Sequence, residues 1–245
     1  MSGHSKWHSI KHKKGAADAK RGKIFTKLAA EIAVAAKDGA DADMNFKLRL
    51  AIQKAKQSNM PAANIDRAIA RGSGQGGGAA LEDLMYEGYG PSGVAVMVRA
   101  LTDNRNRTGA DVKSAFSKFG GNLGAPGSVS YLFEQKGVVV CHAASDREAL
   151  ELAAIDAGAL DIDDSGEQLV VYTSPNDVEK MREALGADNV ESAEVEKIAT
   201  QTVRLEDEKK ASSLMKMIDM LEDNDDVVEV SANYDIPDEV MEKLG

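Results

Sequence analysis

Between residues 136 and 200 strand and helix signals alternate in an order that few folds accept. Apolar, β-branched runs at 137–142, 160–162, 168–173 and 195–199 are interrupted by helical periodicities at 145–157 and 175–185. The order is βαββαβ, a complete split βαβ unit of ferredoxin-like type. Such a unit closes its own sheet, so 136–200 is expected to stand as a domain.

The flanks of this block are each incomplete. Residues 84–87, 94–101 and 129–133 read as strands around a helix at 106–119, while a helix at 207–221 precedes a strand at 227–232. Pairing 81–135 with 203–245 across the insertion gives the first piece the helix and strand it lacks. One long mixed sheet over the whole region is the alternative.

Upstream of residue 81 the period becomes that of helices. Ile24, Leu28, Ile32 and Ala35 recur at spacings of four, four and three over 17–37, with Phe25 on the flank and Gly39 as a stop. Lys20, Lys23 and Lys27 share another face of that helix, which leaves the basic stripe wet. A second helix over 44–57 groups Met44, Leu48, Ala51, Ile52 and Ala55. A third, over 61–71, opens on Pro61 and closes at Gly72. The fold class is therefore α+β: a three-helix domain at 16–72, a Gly-rich linker at 73–80, and two ferredoxin-like α/β domains, one inserted into the other. Residues 1–15 hold only Trp7 and Ile10 as large apolar groups and read as a flexible basic arm.

Charge divides the chain further. Lys6, Lys11, Lys13, Lys14, Lys20, Arg21, Lys23 and Lys27 stand against one acid, Asp18, in the first 28 residues of a protein whose net charge is -10. This asymmetry points to a polyanion as partner of the basic end. The eight bases are enough to neutralise several phosphates, and Trp7 adds a surface for base stacking. His4, His8 and His12 repeat every fourth residue, but lysines neighbour each and no acid supports them, so no metal is expected.

The segment Thr102-Asp-Asn-Arg-Asn-Arg-Thr108 ends a strand and opens a helix, a place where free N–H groups draw anions. Arg105 and Arg107 are read there as a second anionic contact; the other reading is an Asp or Asn cap beside two solvated arginines. Neither Gly-rich turn, 88–93 or 120–127, has the P-loop order. His142 alone, and Asp161, Asp163, Asp164 and Glu167 without an EF-hand glycine, give no catalytic set, so no enzyme activity and no cofactor is expected. The lone Cys141 suits a reducing compartment. No apolar run reaches membrane-spanning length, and the expected location is cytoplasmic, with no membrane partner.

GHSKWHSIKHKKGAADAKRGKIFTKL, YEGYGPSG, TDNRNRT and GGNLGAPGSVSYLF together closely resemble the YebC/PmpR family of bacterial proteins, along essentially the whole chain. A mitochondrial relative of that family is a translational activator of a cytochrome oxidase subunit. The resemblance implies a helical N-terminal domain followed by two α/β domains, and a nucleic-acid-associated regulator rather than an enzyme. A DNA-binding transcriptional regulator is the first expectation. A ribosome-associated translation factor, touching ribosomal RNA and relieving stalling at proline-rich sequences, is the second. A third, of another class, is an acidic protein–protein adaptor. No helix-turn-helix, zinc finger or RNA-recognition signature is present, so charge and shape are expected to dominate any DNA contact.

Overall fold

The computed structural model describes residues 18–77, 79–142, 146–164 and 168–244. Three helices come first, α1 (Asp18–Ala35), α2 (Phe46–Gln57) and α3 (Ala62–Gly72). Leu28, Ile32, Leu48, Ala55, Ile65 and Ala68 form their common core. α2 starts two residues later than its periodicity predicts because Asn45 is the N-cap. The Asn45 side chain accepts from the Leu48 N–H at 3.1 Å and donates to the Ala35 and Gly39 carbonyls at 2.7 Å each. That cap fastens the end of α1 to the start of α2 and leaves Met44, expected on the buried face, 87% exposed. Ile24, at the outer end of the α1 stripe, is exposed as well. Gly72 ends α3 against α1, where a Cβ would lie 2.1 Å from the Ala33 carbonyl oxygen.

The chain then runs through β1 (Glu82–Tyr89), β2 (Ala95–Thr102), α4 (Arg105–Lys118), β3 (Asn122–Leu123), β4 (Phe133–Cys141), α5 (Arg147–Ala157), β5 (Asp161–Asp163) and β6 (Leu169–Thr173). After these come α6 (Val178–Leu185), β7 (Val190–Ala199), β8 (Val203–Arg204), α7 (Glu208–Glu222), β9 (Val227–Ala232), β10 (Tyr234–Asp235) and α8 (Asp238–Met241). Two separate four-stranded sheets result, ordered β3-β1-β2-β9 and β5-β6-β4-β7, and every pairing within them is antiparallel. This replaces the single mixed sheet and gives two ferredoxin-like domains, one inserted into the other.

The two sheets are the same arrangement assembled differently. In the inserted domain β4, β5, β6 and β7 take the four places of a βαββαβ unit in chain order. In the other, β2, β3 and β9 take places one, two and four, and β1, arriving from the N-terminal side, fills the third. Its core joins Val96, Val98 and Phe116 from before the insertion to Leu214, Met217 and Ile218 from after it. Each fully buried large side chain there contributes about 1.5–3 kcal/mol. Neither piece can bury its own share without the other.

The strand expected at 129–133 is a short 3-10 turn, Ser130–Leu132. The N–H groups of Gly127, Val129 and Ser130 donate to the buried carboxylate of Glu87 at 2.8–2.9 Å, so they cannot join a ladder. β4 consequently begins at Phe133 and runs unbroken across residue 136, where the inserted unit was expected to start. β7 is twice its expected length, pairing with β4 from Phe133↔Ala199 to Cys141↔Val190. Its sequence VESAEVEKIA hides this because an edge strand tolerates charge on either face. β8, β10 and α8 are too short to leave a periodic signal.

Candidate nucleic-acid interface

Lys6, Trp7, Lys11, Lys13 and Lys14, like His4, His8, His12 and Glu167, lie outside the described residues, and Lys20 enters with its backbone alone, in α1. Arg21 is exposed, its guanidinium 5.9 Å from the Phe25 ring centroid. Further along α1 the lysine stripe turns onto the protein. Lys23 Nζ donates to the Asp223 carbonyl at 3.0 Å and stands 3.6 Å from its carboxylate. Lys27 Nζ donates to the carbonyl of Glu222. These carbonyls close α7, whose own last turn holds no basic residue, so the two lysines supply the positive charge that the helix C-terminus attracts. Burial holds the Lys27 ammonium below its usual range despite Glu222, Asp225 and Asp223 close by. The stripe expected to stay wet does so at Lys23 and not at Lys27.

Beside the start of α4 lies Asp226 of the same chain, held by side chains rather than by the helix's first N–H groups. Asn104 caps the helix through the Arg107 N–H at 3.1 Å. Asp226 Oδ2 accepts from the Thr108 hydroxyl at 2.6 Å, Arg107 Nη2 at 2.8 Å and the Thr102 hydroxyl at 3.1 Å. Partial burial pushes the Asp226 carboxyl up, but the hydrogen bonds from Thr108, Arg107 and Thr102 prevail and hold it below the usual carboxylate range. Arg107, read from the sequence as an anionic-ligand site, is thus committed to an internal carboxylate. The cap reading was right about Asn104 but missed this arginine's role. Arg105 stays exposed near Tyr86, and its side chain makes no hydrogen bond or ion pair among the described residues.

Lys23, Lys27 and Arg107 therefore converge, from places far apart in sequence, on one acidic turn, Glu222-Asp-Asn-Asp-Asp226. Four acids in five residues at a helix end need counter-charge, and that was the legible signal sequence reasoning passed over. A second charged group it missed lies between the helical and inserted domains. Lys54 Nζ is 3.0 Å from Glu194 and 3.6 Å from Glu31, with Arg99 bonded to Asp83 at 2.7 Å nearby. Burial raises the Glu31 carboxyl above its usual range.

Nothing comparable is arranged around the nucleophile candidates. Burial pushes the Cys141 thiol up to about 11, and His142 Nδ1 stands 3.7 Å from Glu191. Among the described residues no three His, Cys, Asp or Glu side chains are grouped to hold a metal, and no helix is long and apolar enough to cross a membrane.

Two family models match the chain, one over the helical region and one over the α/β region. The family model described as the TACO1/YebC protein N-terminal domain matches residues 5–75, and that of the TACO1/YebC second and third domain matches residues 81–234. The chain belongs to the TACO1/YebC family. A relative from Syntrophotalea carbinolica is 53% identical over 247 residues, covering all of this chain and 99% of its own. One from Persephonella marina is 49% identical over 249 residues, covering both chains completely. Each is named a "probable transcriptional regulatory protein". The crystal structure of a conserved hypothetical protein, Aq1575 from Aquifex aeolicus, superposes with a TM-score of 0.84 at 45% identity, over 90% of this chain and 93% of that one. In this structure the acidic turn 222–226 is one of the places where the helical domain meets the discontinuous domain.

Proposed function

We propose that this chain is a cytoplasmic regulator of gene expression that binds nucleic acid through its basic N-terminal region, acting in transcription as the names of its relatives suggest. One observation carries the reading. Positive charge is concentrated ahead of Lys23 in a protein of net charge -10, while three later bases that the sequence assigned to phosphate contact, Lys23, Lys27 and Arg107, are matched to the turn 222–226. The residues left for phosphate contact are Lys6, Lys11, Lys13, Lys14, Lys20 and Arg21, with Trp7 for stacking and Arg105 as a separate exposed base. Binding of this kind neutralises phosphates and releases counterions, and it reads shape more than base edges. No catalytic role is assigned.

Crosslinking in cells followed by sequencing of the bound nucleic acid tests the reading. Enrichment of promoter DNA is the expected result. Enrichment of ribosomal RNA together with co-sedimentation on ribosomes would move the function to translation, and recovery of neither would leave the acidic adaptor.

A further inference from the structure

Of the seven large apolar side chains that stay exposed among the described residues, three fall within nine consecutive positions of the inserted domain: Leu152 at 66%, Ile155 at 61% and Leu160 at 63%. The first two belong to α5. At 100° per residue the exposed positions of that helix, Glu148, Ala149, Leu152, Ile155 and Asp156, share one arc of about 120°. Leu150, Ala153, Ala154 and Ala157 take the opposite side and pack into the domain core, so α5 is anchored without its outer face. Leu160 follows just past Gly158, which ends the helix in the left-handed region. Aliphatic groups exposed singly need no explanation, but a helix that is apolar on both sides has one face unfilled.

We propose that this outer face of α5 is a docking surface for a basic amphipathic helix of another protein. Charge selects the occupant. Residues 146–164 hold seven acids and one base, Arg147, which is bonded to Asp164. Lys180 of α6 is engaged too, donating to the Ala157 carbonyl at 3.1 Å. Glu148 and Asp156, by contrast, are exposed and make no hydrogen bond or ion pair among the described residues. They stand one turn to either side of Leu152, about 12 Å apart along the axis. Asp156 lies near the C-terminal end of α5, whose last turn holds no basic residue and where the helix dipole disfavours a carboxylate, so a cation arriving from outside is favoured there. The complementary surface is a helix with Leu, Ile or Met at its centre and Lys or Arg one turn to each side, lying along α5 at the interaxial distance of about 8–10 Å usual for packed helices. A second copy of this chain docking through the same face would set Glu148 and Asp156 against their own kind. The inference rests on the inserted domain alone and does not depend on nucleic-acid binding.

The test uses the full chain without nucleic acid and the fluorescence anisotropy of labelled peptides, each long enough to form a helix, about 15 residues or more. One probe carries Leu at its centre and Lys one turn to each side; a second has the same composition with the spacing shuffled; a third has Glu in place of Lys. The Lys probe should bind saturably, the shuffled one roughly tenfold more weakly, and the Glu probe not at all. Leu152→Ser with Ile155→Ser should weaken the Lys probe by roughly tenfold or more. Glu148→Gln with Asp156→Asn should weaken it roughly two- to fivefold and flatten its salt dependence. All four positions are exposed, so neither pair should change the melting temperature. Replacing Lys6, Lys11, Lys13 and Lys14 by Gln should leave the affinity within about twofold. No binding of the Lys probe, equal binding of the shuffled one, or binding indifferent to both pairs of substitutions would each overturn the proposal. A rise of about tenfold in the Lys-to-Gln variant would give the face to this chain's own basic end, and self-association abolished by Leu152→Ser with Ile155→Ser would give it to a second copy; either result overturns the external partner.

Discussion

The two ferredoxin-like domains share a strand order and differ in what they do with charge. The discontinuous domain spends its acids internally: Glu87 on three backbone N–H groups, Asp83 on Arg99, Asp226 on Arg107 and two threonines. Residues 136–200 carry fifteen Asp and Glu against five Lys and Arg, the same -10 as the whole chain. Glu148, Asp156 and Asp161 there are exposed, as are the aliphatic side chains of Leu152, Ile155 and Leu160. The discontinuous domain thus holds Lys23 and Lys27 of the helical domain through its turn 222–226. The other, built to the same plan, pairs Glu194 with Lys54, Asp164 with Arg147 and Glu179 with Arg182 and leaves Glu148, Asp156 and Asp161 at the surface. Strand order fixes neither role; the placement of the acids relative to hydrogen-bond donors does.

Removing an acid from the discontinuous domain should therefore cost stability. The largest effect belongs to Glu87→Ala, which leaves three N–H groups without their acceptor and is expected to cost about 3 kcal/mol in denaturant unfolding. Burial pushes this carboxyl up, but the hydrogen bonds from Val129, Gly127 and Ser130 prevail and hold it below the usual 4.5. The stability it supplies is fully present above that value and is lost as the pH falls through the lower folded-state value, so the gap between the parent protein and Glu87→Gln should close in acid. A discontinuous domain indifferent to Glu87 at neutral pH would break the comparison.

Lys54→Met comes next, at about 2 kcal/mol, because it leaves Glu31 and Glu194 facing each other without their shared cation; partial exposure of the lysine keeps the figure below that of a fully buried pair. Asp226→Asn should cost about 1.5 kcal/mol at neutral pH, with the difference vanishing as the pH falls below 3.8 and the native carboxyl is itself protonated. Smallest of all, Glu148→Gln with Asp156→Asn on the inserted domain should stay within about 0.5 kcal/mol in the same unfolding experiment. A surface pair as costly as Asp226 would erase the distinction between the two domains.

Much of the fold was legible because its signals are local. The βαββαβ order, the capping run at Asn104 and the stop at Gly72 are each written within a few neighbouring residues. What stayed hidden depends on partners distant in sequence. Nothing near Ser130 reveals that Glu87 takes its N–H, so a turn was read as a strand. Lys23 and Arg107 looked like free anion ligands because Asp223 and Asp226, which hold them, lie 200 and 119 residues away. The candidate site was accordingly readable as a surplus of charge, and unreadable in the pairing that decides which charges remain available.

On the function proposed above, the basic residues ahead of Lys23 bind nucleic acid, which is tested most directly by the salt dependence of binding to duplex DNA. Neutralising about five phosphates predicts a slope of roughly -4 to -5 in log K against log salt. Charge reversal at Lys11, Lys13, Lys14 and Lys20 should flatten that slope and weaken binding to every sequence alike. A full slope with unchanged affinity in that variant would contradict the account.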